Sequence, residues 1–484
     1  MTNFSFSIVK LSFLFVFISV IAGCPAVPDP LIQIPVVTGL AREVAETTLT
    51  EAGFNNLLIK EVSSTSVPKG KIVNQLPAAK SWVSNATPIT LYVSTGDTEH
   101  PTESWTRVYG EGKSMEAADV YLTNDGSYIV TGETSDAPQD VAVYLQKLND
   151  QGEELWRNTY GVTDTQRGEV VRQTEDGGFI IAGYTHIDQE YGQMLLIKTR
   201  HDGREEWIST LGIEGLLFRA HGLALTSDGG YVLTGITQSD PGRDIGFGGH
   251  DIFIMKTNSI GQEEWTVWYG DEEDDAAYAI EPTVDGGFII AGYTASFGAL
   301  NKDVFLLKTD ENGLVEWAKS YGGSLDDIAH DVKLTPDGGY LLTGYTNSFD
   351  VPFRDIYVIK TNNGGVHEWS RIIDLGLLIG DDAGSDEYAK AVQITPDGEF
   401  VLAGTTNALG DDGSITLIKL GTSGSLVWYR IIGGAELDQA FSLQMAYDNG
   451  YVIAGSTQSS GVPIRQAYIF KTDENGLAID DQTP

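Results

Sequence analysis

The stretch DIAHDVKLTPDGGYLLTGYTNSFDVPFRDIYVIKTNNGGVHEW, residues 327–369, decides the fold. Short runs of strand-type residues alternate with turns, and the turn at 336–339 places Asp-Gly-Gly where a positive φ is needed. The second run is almost continuously apolar, as expected of a strand buried on both faces. The pattern predicts an antiparallel meander of four strands, at His330–Leu334, Tyr340–Tyr345, Asp355–Lys360 and Val366–Ile373.

The same pattern recurs along the chain at a period of about fifty residues. It is marked by tryptophans at 105, 156, 207, 265, 317, 369 and 428 and by lysines at 147, 198, 256, 308, 360, 419 and 471. One meander cannot bury both of its faces and must stack radially on others. We therefore predict a mainly β chain with a seven-bladed β-propeller of four-stranded blades over residues 103–484.

Closure of this ring follows from counting strands. The last repeat ends at 476–479 without a tryptophan, whereas the strand at Ser104–Gly110 precedes the first repeat. The N-terminal strand is therefore predicted to be the outer strand of the last blade, which would remove an open edge.

The repeats resemble bacterial surface β-propeller repeats, which carry W-x-x-x-Y-G, D-G-G and G-x-T motifs. Here these motifs appear as Trp317…Tyr321-Gly322, Asp337-Gly338-Gly339 and Gly344-Tyr345-Thr346. The resemblance spans 103–484 and implies a fold but no function, because propellers include enzymes, receptors and scaffolds.

The N-terminus has the features of an export signal. Lys10 precedes an apolar run over 11–21 that is too short for a comfortable transmembrane helix. The run ends at Ile21-Ala22-Gly23-Cys24, which resembles the bacterial lipobox. This implies a lipoprotein signal peptide at 1–23, a diacylglyceryl (palmitate-containing) anchor on Cys24 and a Pro-rich tether at 24–30. The lipid on Cys24 would be the only membrane attachment.

Residues 31–96 form a separate small α+β unit. A helical spacing over Ala41–Ala52 is followed by strand patterns at Ile59–Val62, Lys71–Gln75 and Ile89–Val93. Together with Val67-Pro68-Lys69-Gly70, these residues resemble a PASTA domain. Some members of that family bind peptidoglycan fragments and many are spacers, so both roles stay open for this copy. Residues 97–102 are predicted to be a linker.

The composition limits the partners. The chain has 30 Lys and Arg against 68 Asp and Glu, a formal charge of −38. This charge repels phosphate backbones and anionic lipid, so no nucleic acid is expected to bind. The single cysteine excludes an internal disulfide.

Candidate site residues come from aligning the repeats. A small residue begins each predicted innermost strand, and polar residues follow it in several blades, where they should ring the mouth of the central channel: Glu169, His221, Tyr278, His330 and Lys390. The variable loops between second and third strands carry aromatic residues at Tyr191, Phe247, Phe297, Phe349 and Phe353. Such loops are frequent binding sites.

An acidic residue lies two positions before the small residue in blades four to seven, at Asp275, Asp327, Glu387 and Asp438. We expect these residues at one mouth of the channel, where Ca²⁺ could relieve their repulsion. Capping of the tight turns by aspartate, with screening by solvent, is the simpler alternative. No other cofactor is indicated.

The sequence favours a non-catalytic binding module over an enzyme. The seven histidines show no metal-ligand spacing, and no G-x-S-x-G motif, P-loop or cysteine nucleophile occurs. We expect an exported protein, anchored by lipid to the cell membrane, or to the outer membrane in a Gram-negative host. The partner would be an envelope protein or a glycan such as a peptidoglycan fragment. The alternatives are a scaffold in envelope assembly and a propeller enzyme acting on an extracellular polymer.

Overall fold

A computed structural model describes residues 31–478 except 63–66, 77–81, 86, 96–103, 137–139, 162–164, 187–191, 214, 241–244, 350, 352, 381–383, 411 and 463. The predicted signal peptide at 1–23, the lipidation site Cys24, the tether at 24–30 and the linker at 97–102 lie outside the described residues. Among the described helices, none is both long and apolar enough to cross a membrane.

The first unit is a helix packed on short strands. Its elements are β1 Leu31–Gln33, α1 Arg42–Glu51, β2 Leu57–Val62, β3 Ile72–Leu76, β4 Trp82–Ser84 and β5 Ile89–Ser94. Strand β5 pairs parallel to β2 and antiparallel to β3, and β1 pairs with β4. The helix buries Ala45 and Leu49 against the sheet, where they meet Phe54, Ile72 and Leu91.

The rest of the described chain forms four-stranded antiparallel sheets, in which consecutive strands are neighbours. In chain order, sheet 1 comprises β7 Ser114–Leu122, β8 Tyr128–Ser135, β9 Val141–Leu148 and β10 Glu154–Tyr160; sheet 2 comprises β11 Thr165–Gln173, β12 Phe179–His186, β13 Gly192–Thr199 and β14 Glu205–Leu211; and sheet 3 comprises β15 Phe218–Leu225, β16 Tyr231–Asp240, β17 Ile245–Thr257 and β18 Glu263–Tyr269.

Sheet 4 comprises β19 Asp275–Pro282, β20 Phe288–Thr294, β21 Asp303–Thr309 and β22 Val315–Tyr321; sheet 5 comprises β23 Asp327–Leu334, β24 Tyr340–Thr346, β25 Asp355–Thr361 and β26 His367–Ile373; and sheet 6 comprises β27 Glu387–Ile394, β28 Phe400–Thr406, β29 Ser414–Leu420 and β30 Leu426–Ile432. Sheet 7 comprises β31 Asp438–Met445, β32 Tyr451–Thr457, β33 Gln466–Lys471 and the early strand β6 Trp105–Tyr109. A short helix, α2 Leu375–Ile379, lies between sheets 5 and 6.

The sheets follow one another as propeller blades do. The first strand of each sheet contacts the first strand of the next, and β31 of sheet 7 contacts β7 of sheet 1. Strand β6 pairs antiparallel with β33, with Trp105 opposite Lys471 and Tyr109 opposite Ala467. The outer edge of sheet 7 is therefore supplied by residues that precede sheet 1 in the chain.

The tryptophan column joins each sheet to the next. A methyl group on Gly365 would lie only 2.6 Å from the Trp317 ring of the preceding sheet, so the indole rests on the turn between strands three and four. The Tyr321 hydroxyl donates a hydrogen bond of 2.5 Å to the Gly365 carbonyl. Trp105 of sheet 7 packs in the same way on Gly152 of sheet 1, so the same contact joins the last sheet to the first.

The lysine column fastens the short turns within each sheet. Lys360, only 4 % exposed, donates from Nζ to Asp337 of the Asp-Gly-Gly turn at 2.9 Å and to Glu368 at 2.9 Å. It also donates to the Thr361 carbonyl. The ammonium group is thus surrounded by acceptors, which offsets the cost of burying its charge.

Each first strand contains a β-bulge at the same place. In β23 the register shifts between Ala329 and Asp331, and the shift brings the Ile328 carbonyl against Gly344 of β24. A methyl group on Gly344 would lie 1.9 Å from that carbonyl oxygen. The glycine of the G-x-T motif is therefore required by the bulge opposite it, and the bulged residue, His330, leaves the regular ladder.

The small N-terminal unit contacts the face that carries the short turns. The Tyr92 ring stacks on Tyr447 with ring centroids 4.9 Å apart and an angle of 15° between the planes. Lys60 Nζ donates to the Asp125 carbonyl at 2.7 Å. Asp125 and Tyr447 belong to turns between first and second strands, so this unit lies opposite the face of the variable loops.

Gly344→Ala should lower the free energy of unfolding by about 3 kcal/mol, because the added methyl group overlaps the Ile328 carbonyl. Gly364→Ala is the matched control. Its nearest neighbour would be 3.5 Å away, and we expect a loss below about 1 kcal/mol. Urea denaturation of both variants measures the difference. Equal losses would show that the bulge does not impose the glycine.

Candidate functional site

The bulges determine which side chains enter the central channel. In every first strand the pairing with the second strand skips one residue at the bulge. The skipped residues form one column: Ala118, Glu169, His221, Tyr278, His330, Lys390 and Phe441. All of them line one cavity of about 300 Å³ between the sheets. A bulge re-aims a side chain, and here it turns one residue per sheet towards the axis.

The five polar residues predicted for the channel mouth are brought together in this cavity. Glu169, His221, Tyr278, His330 and Lys390 all line it. Their ability to bind a ligand stays a prediction. Alignment of the internal repeats identified this column of residues. It did not predict the bulge, because no residue type marks a bulge at this position.

Aromatic rings form a continuous arc, of which His221, Tyr278 and His330 line the cavity. The ring centroids are 5.4 Å apart for His221 and Tyr278, 5.6 Å for Tyr278 and His330, and 6.4 Å for His330 and Tyr388. Tyr184 continues the arc beyond His221 at 6.2 Å. The rings are tilted or edge-on to one another, an arrangement that favours mutual contact.

The two histidines of the arc are neutral at physiological pH. Burial lowers the pKa of His221 to about 4 and lowers the pKa of His330 well below its usual range. His330 Nδ1 lies 2.9 Å from the Ala389 carbonyl, which can only accept a hydrogen bond. Nδ1 therefore carries the proton, and Nε2 of His330 is an acceptor.

Cations lie at one end of the aromatic arc. Lys390 Nζ is 5.7 Å from the centre of the Tyr388 ring, and the Arg354 guanidinium carbon is also 5.7 Å from the centre of that ring. Burial lowers the pKa of Lys390 to about 8, although Glu169 acts in the opposite direction. Lys390 is thus largely protonated near neutral pH and titrates just above it.

Glu169 belongs to an ion-pair network that the sequence did not indicate. Arg167 Nε pairs with Glu169 at 2.6 Å, and its Nη2 pairs with the buried Glu116 at 2.5 Å. Arg465, immediately before β33 of sheet 7, also pairs with Glu116. Because it already pairs with Arg167, Glu169 stabilises the wall of the cavity more than it offers an unpaired charge.

A second polar layer lies further along the channel. Arg172 pairs with Asp119 at 2.8 Å, and Lys333 pairs with Glu281. These side chains line the same cavity and were missed because they lie beyond the aligned column. Arg172, Glu281 and Lys333 each stand three positions after a residue of the aligned column, and this constant spacing was the available signal.

The four acidic residues lie elsewhere. Asp275, Asp327, Glu387 and Asp438 are at most 1 % exposed and are not among the side chains lining the channel cavity. Each is the first residue of the first strand of a sheet and lies between that sheet and the preceding one. The expected position at an open mouth of the channel is therefore not observed. The described residues contain one group of three metal-type ligands within 4.8 Å, and of the four it includes only Glu387. Binding of Ca²⁺ by the four together stays untested.

The variable-loop face carries exposed apolar side chains. Phe297, Phe349 and Phe353 are 38 %, 49 % and 43 % exposed, and Leu300 and Leu377 are 79 % and 70 % exposed. Among the other predicted loop aromatics, Tyr191 lies outside the described residues and Phe247 is half-buried.

Comparison with known proteins identifies the first unit. Residues 32–95 match the family described as the PASTA domain. No curated protein matches the chain.

Several solved structures resemble the chain at low similarity. A mutant puromycin hydrolase complexed with PGG is 12 % identical with a TM-score of 0.44, over 75 % of this chain and 53 % of that one. PorZ, a surface component of the type-IX secretion system of Porphyromonas gingivalis, is 11 % identical with a TM-score of 0.41, over 72 % and 46 %. BBS1N in complex with ARL6DN is 10 % identical with a TM-score of 0.40, over 78 % and 99 %.

This chain spans about half the length of the hydrolase and of PorZ. At these identities, the likenesses say nothing about activity. The chain thus contains a PASTA domain at residues 32–95, followed by four-stranded sheets of the propeller type.

Proposed function

We propose that the protein is an exported lipoprotein, anchored through Cys24, that displays a seven-bladed propeller as a non-catalytic binding module in the cell envelope. The observation that carries this proposal is the channel cavity, where neutral aromatic rings and cationic side chains converge. The pairing of β6 with β33 supports a closed ring of blades.

The position of the PASTA domain supports an outward-facing display. The domain contacts the short-turn face through Tyr92 and Lys60. Cys24 precedes this domain in the sequence, so the proposed anchor would lie on the short-turn side. The variable loops and the channel mouth would then face away from the membrane, with the PASTA domain acting as a spacer or a wall contact.

The chemistry of the cavity favours a glycan that carries a carboxylate, such as a peptidoglycan fragment. Aromatic faces pack against the C–H faces of sugar rings, and the rings of His221, Tyr278 and His330 in the cavity offer such faces. Lys390 lies at one end of the arc and would pair with a carboxylate. His330 Nε2 would accept a hydrogen bond from a sugar hydroxyl.

A role as a scaffold in envelope assembly is the alternative. Its support is the set of exposed apolar side chains on the variable loops, including Phe349 and Leu300. Exposed apolar patches of this kind mark protein–protein contacts. Purification from solubilised envelopes separates the two functions: bound glycan favours the binding module, and a stoichiometric protein complex favours the scaffold.

Lys390→Met should weaken binding of soluble muropeptides about tenfold, because it removes a buried charge that would pair with a carboxylate. Binding by the wild type should weaken as the pH rises through about 8, where Lys390 loses its proton, and the variant should lack this dependence. Isothermal titration calorimetry measures both effects. Lys319→Met, on an exposed outer strand, is the control. Unchanged affinity in Lys390→Met would contradict the site.

Cys24→Ser should release the protein from membranes, because no other attachment is predicted. Fractionation of cells followed by immunoblotting should find the wild type with the membranes and the variant in the soluble exported fraction. A variant that still sediments with membranes after a high-salt wash would be incompatible with a lipid anchor at Cys24.

A further inference from the structure

A column of large apolar residues runs along the variable-loop face of three consecutive sheets. Three positions after the threonine of the G-x-T motif stand Phe297 in sheet 4, Phe349 in sheet 5 and Leu409 in sheet 6. Their side chains are 38 %, 49 % and 59 % exposed. The other sheets have small or polar residues at this position: Ala137, Asp188, Asp240 and Ser460. The apolar column is therefore confined to sheets 4 to 6.

The loops hold the two phenylalanines of the column in a strained conformation. Phe297 and Phe349 have φ angles of 49° and 63°, in the left-handed region that residues with a Cβ rarely adopt. In both loops the amide of the preceding serine donates to the hydroxyl of the G-x-T threonine, at 3.0 Å in sheet 4 and 2.9 Å in sheet 5. Each ring also packs on its third strand, Phe297 on Phe305 and Phe349 on Tyr357. Apolar side chains that are held in this way lose little freedom when another molecule covers them.

The column belongs to an apolar patch that crosses neighbouring loops. Asn301 Nδ2, in the loop after β20, donates to the loop after β22 at 2.7 Å. The Leu325 amide of that second loop donates to the Ser348 hydroxyl at 3.0 Å. Leu300 and Leu325, both exposed, thus extend the apolar column between sheets 4 and 5. Apolar patches of this kind mark contact sites for other molecules.

Acidic residues border the patch at the Phe297 end. The residues at 271–273 are Asp-Glu-Glu, and all three are exposed and form no ion pair within the described part of the chain. The Ala295 amide donates to the Asp274 carbonyl at 2.9 Å. This bond places the acidic loop directly beside the loop that carries Phe297.

An acidic residue also borders the Leu409 end. Glu436 is exposed in the loop between sheets 6 and 7. A methyl group on Gly413 would lie 2.8 Å from Leu437, so this loop lies beside the loop that carries Leu409. The apolar column therefore has negative charge at both ends.

The cations of these loops are already engaged. Arg354 pairs with Asp386 at 3.2 Å, and Lys302 Nζ lies over the Tyr293 ring, 4.4 Å from its centre. The face therefore favours a basic partner and disfavours an acidic one. A second copy of this chain, with its formal charge of −38, and an anionic lipid surface would both be repelled.

We propose that this surface binds a basic amphipathic helix of another protein. Such a helix presents an apolar stripe flanked by lysine and arginine, which is complementary to an apolar column with an acidic border. The stripe packs on Phe297, Phe349 and Leu409, and the flanking cations pair with the acids of 271–273 and with Glu436. None of these residues lines the channel cavity, so the surface goes beyond the proposed glycan site and gives the scaffold alternative a partner of defined chemistry.

A designed peptide of about 14 residues, with leucine at helical spacing and lysine elsewhere, tests the surface. The full chain should bind the labelled peptide in a saturable step, measured by fluorescence anisotropy in about 0.15 M NaCl to screen non-specific attraction. Phe297→Ser/Phe349→Ser should weaken binding about tenfold or more, because it removes two apolar contacts at the centre of the surface. Serine is the residue of sheet 7 at this position, so the loop can accept it.

Two further variants and a second peptide separate docking from charge. Val284→Ser changes an apolar residue that is 68 % exposed on the short-turn face and should bind as the wild type does. Glu272→Lys/Glu273→Lys should weaken binding, because it reverses the charge of the border. A peptide of the same composition, with its leucines scattered around the helix, should bind the wild type about tenfold more weakly.

The proposal is overturned if the wild type shows no saturable binding, if it binds both peptides equally, or if Phe297→Ser/Phe349→Ser binds the amphipathic peptide as tightly as the wild type. Titration of the same variant with muropeptides reports separately on the channel, whose lining it leaves intact. Loss of muropeptide binding by both forms would contradict the glycan site and leave the peptide result unaffected.

Discussion

A β-bulge at one fixed position in every first strand is the constraint on which the rest of the structure depends. It forces glycine into the second strand, because a side chain there would overlap the carbonyl of the bulged strand, as at Gly344. It also turns one residue per sheet into the channel. The repeat is therefore uniform in its backbone and variable in the residue that it presents, so one scaffold can hold His330 in one sheet and Lys390 in the next.

Contacts between sheets convert this repeat into a single body. Trp317 and Tyr321 hold the turn of the next sheet, and Trp105 does the same across the closure. Because Trp105 comes from the strand before sheet 1, the ends of the sheet array are held together by main-chain pairing with β33 as well as by packing. The channel residues need this closure, since their cavity is bounded by first strands from distant parts of the chain.

Much of the fold could be predicted from the sequence because its determinants are periodic. The recurring tryptophans, lysines and Asp-Gly-Gly turns predicted the strands and turns. The absence of a tryptophan from the last repeat predicted that β6 pairs with the last sheet. The bulge could not be predicted, since it changes register without changing composition. The acidic residues were expected at the channel mouth, but β23 begins at Asp327, three residues earlier than the pattern indicated, and this buries the acid between sheets.

The most direct test of the account is whether the strand at 105–109 closes the ring. Two truncated forms, one beginning near residue 98 and one near residue 112, can be compared by thermal melting followed by circular dichroism. The account predicts one cooperative transition for the longer form, and a lower, broader transition with aggregation for the shorter form, whose β33 edge is left unpaired. Equal and equally cooperative melting of the two forms would contradict closure by this strand.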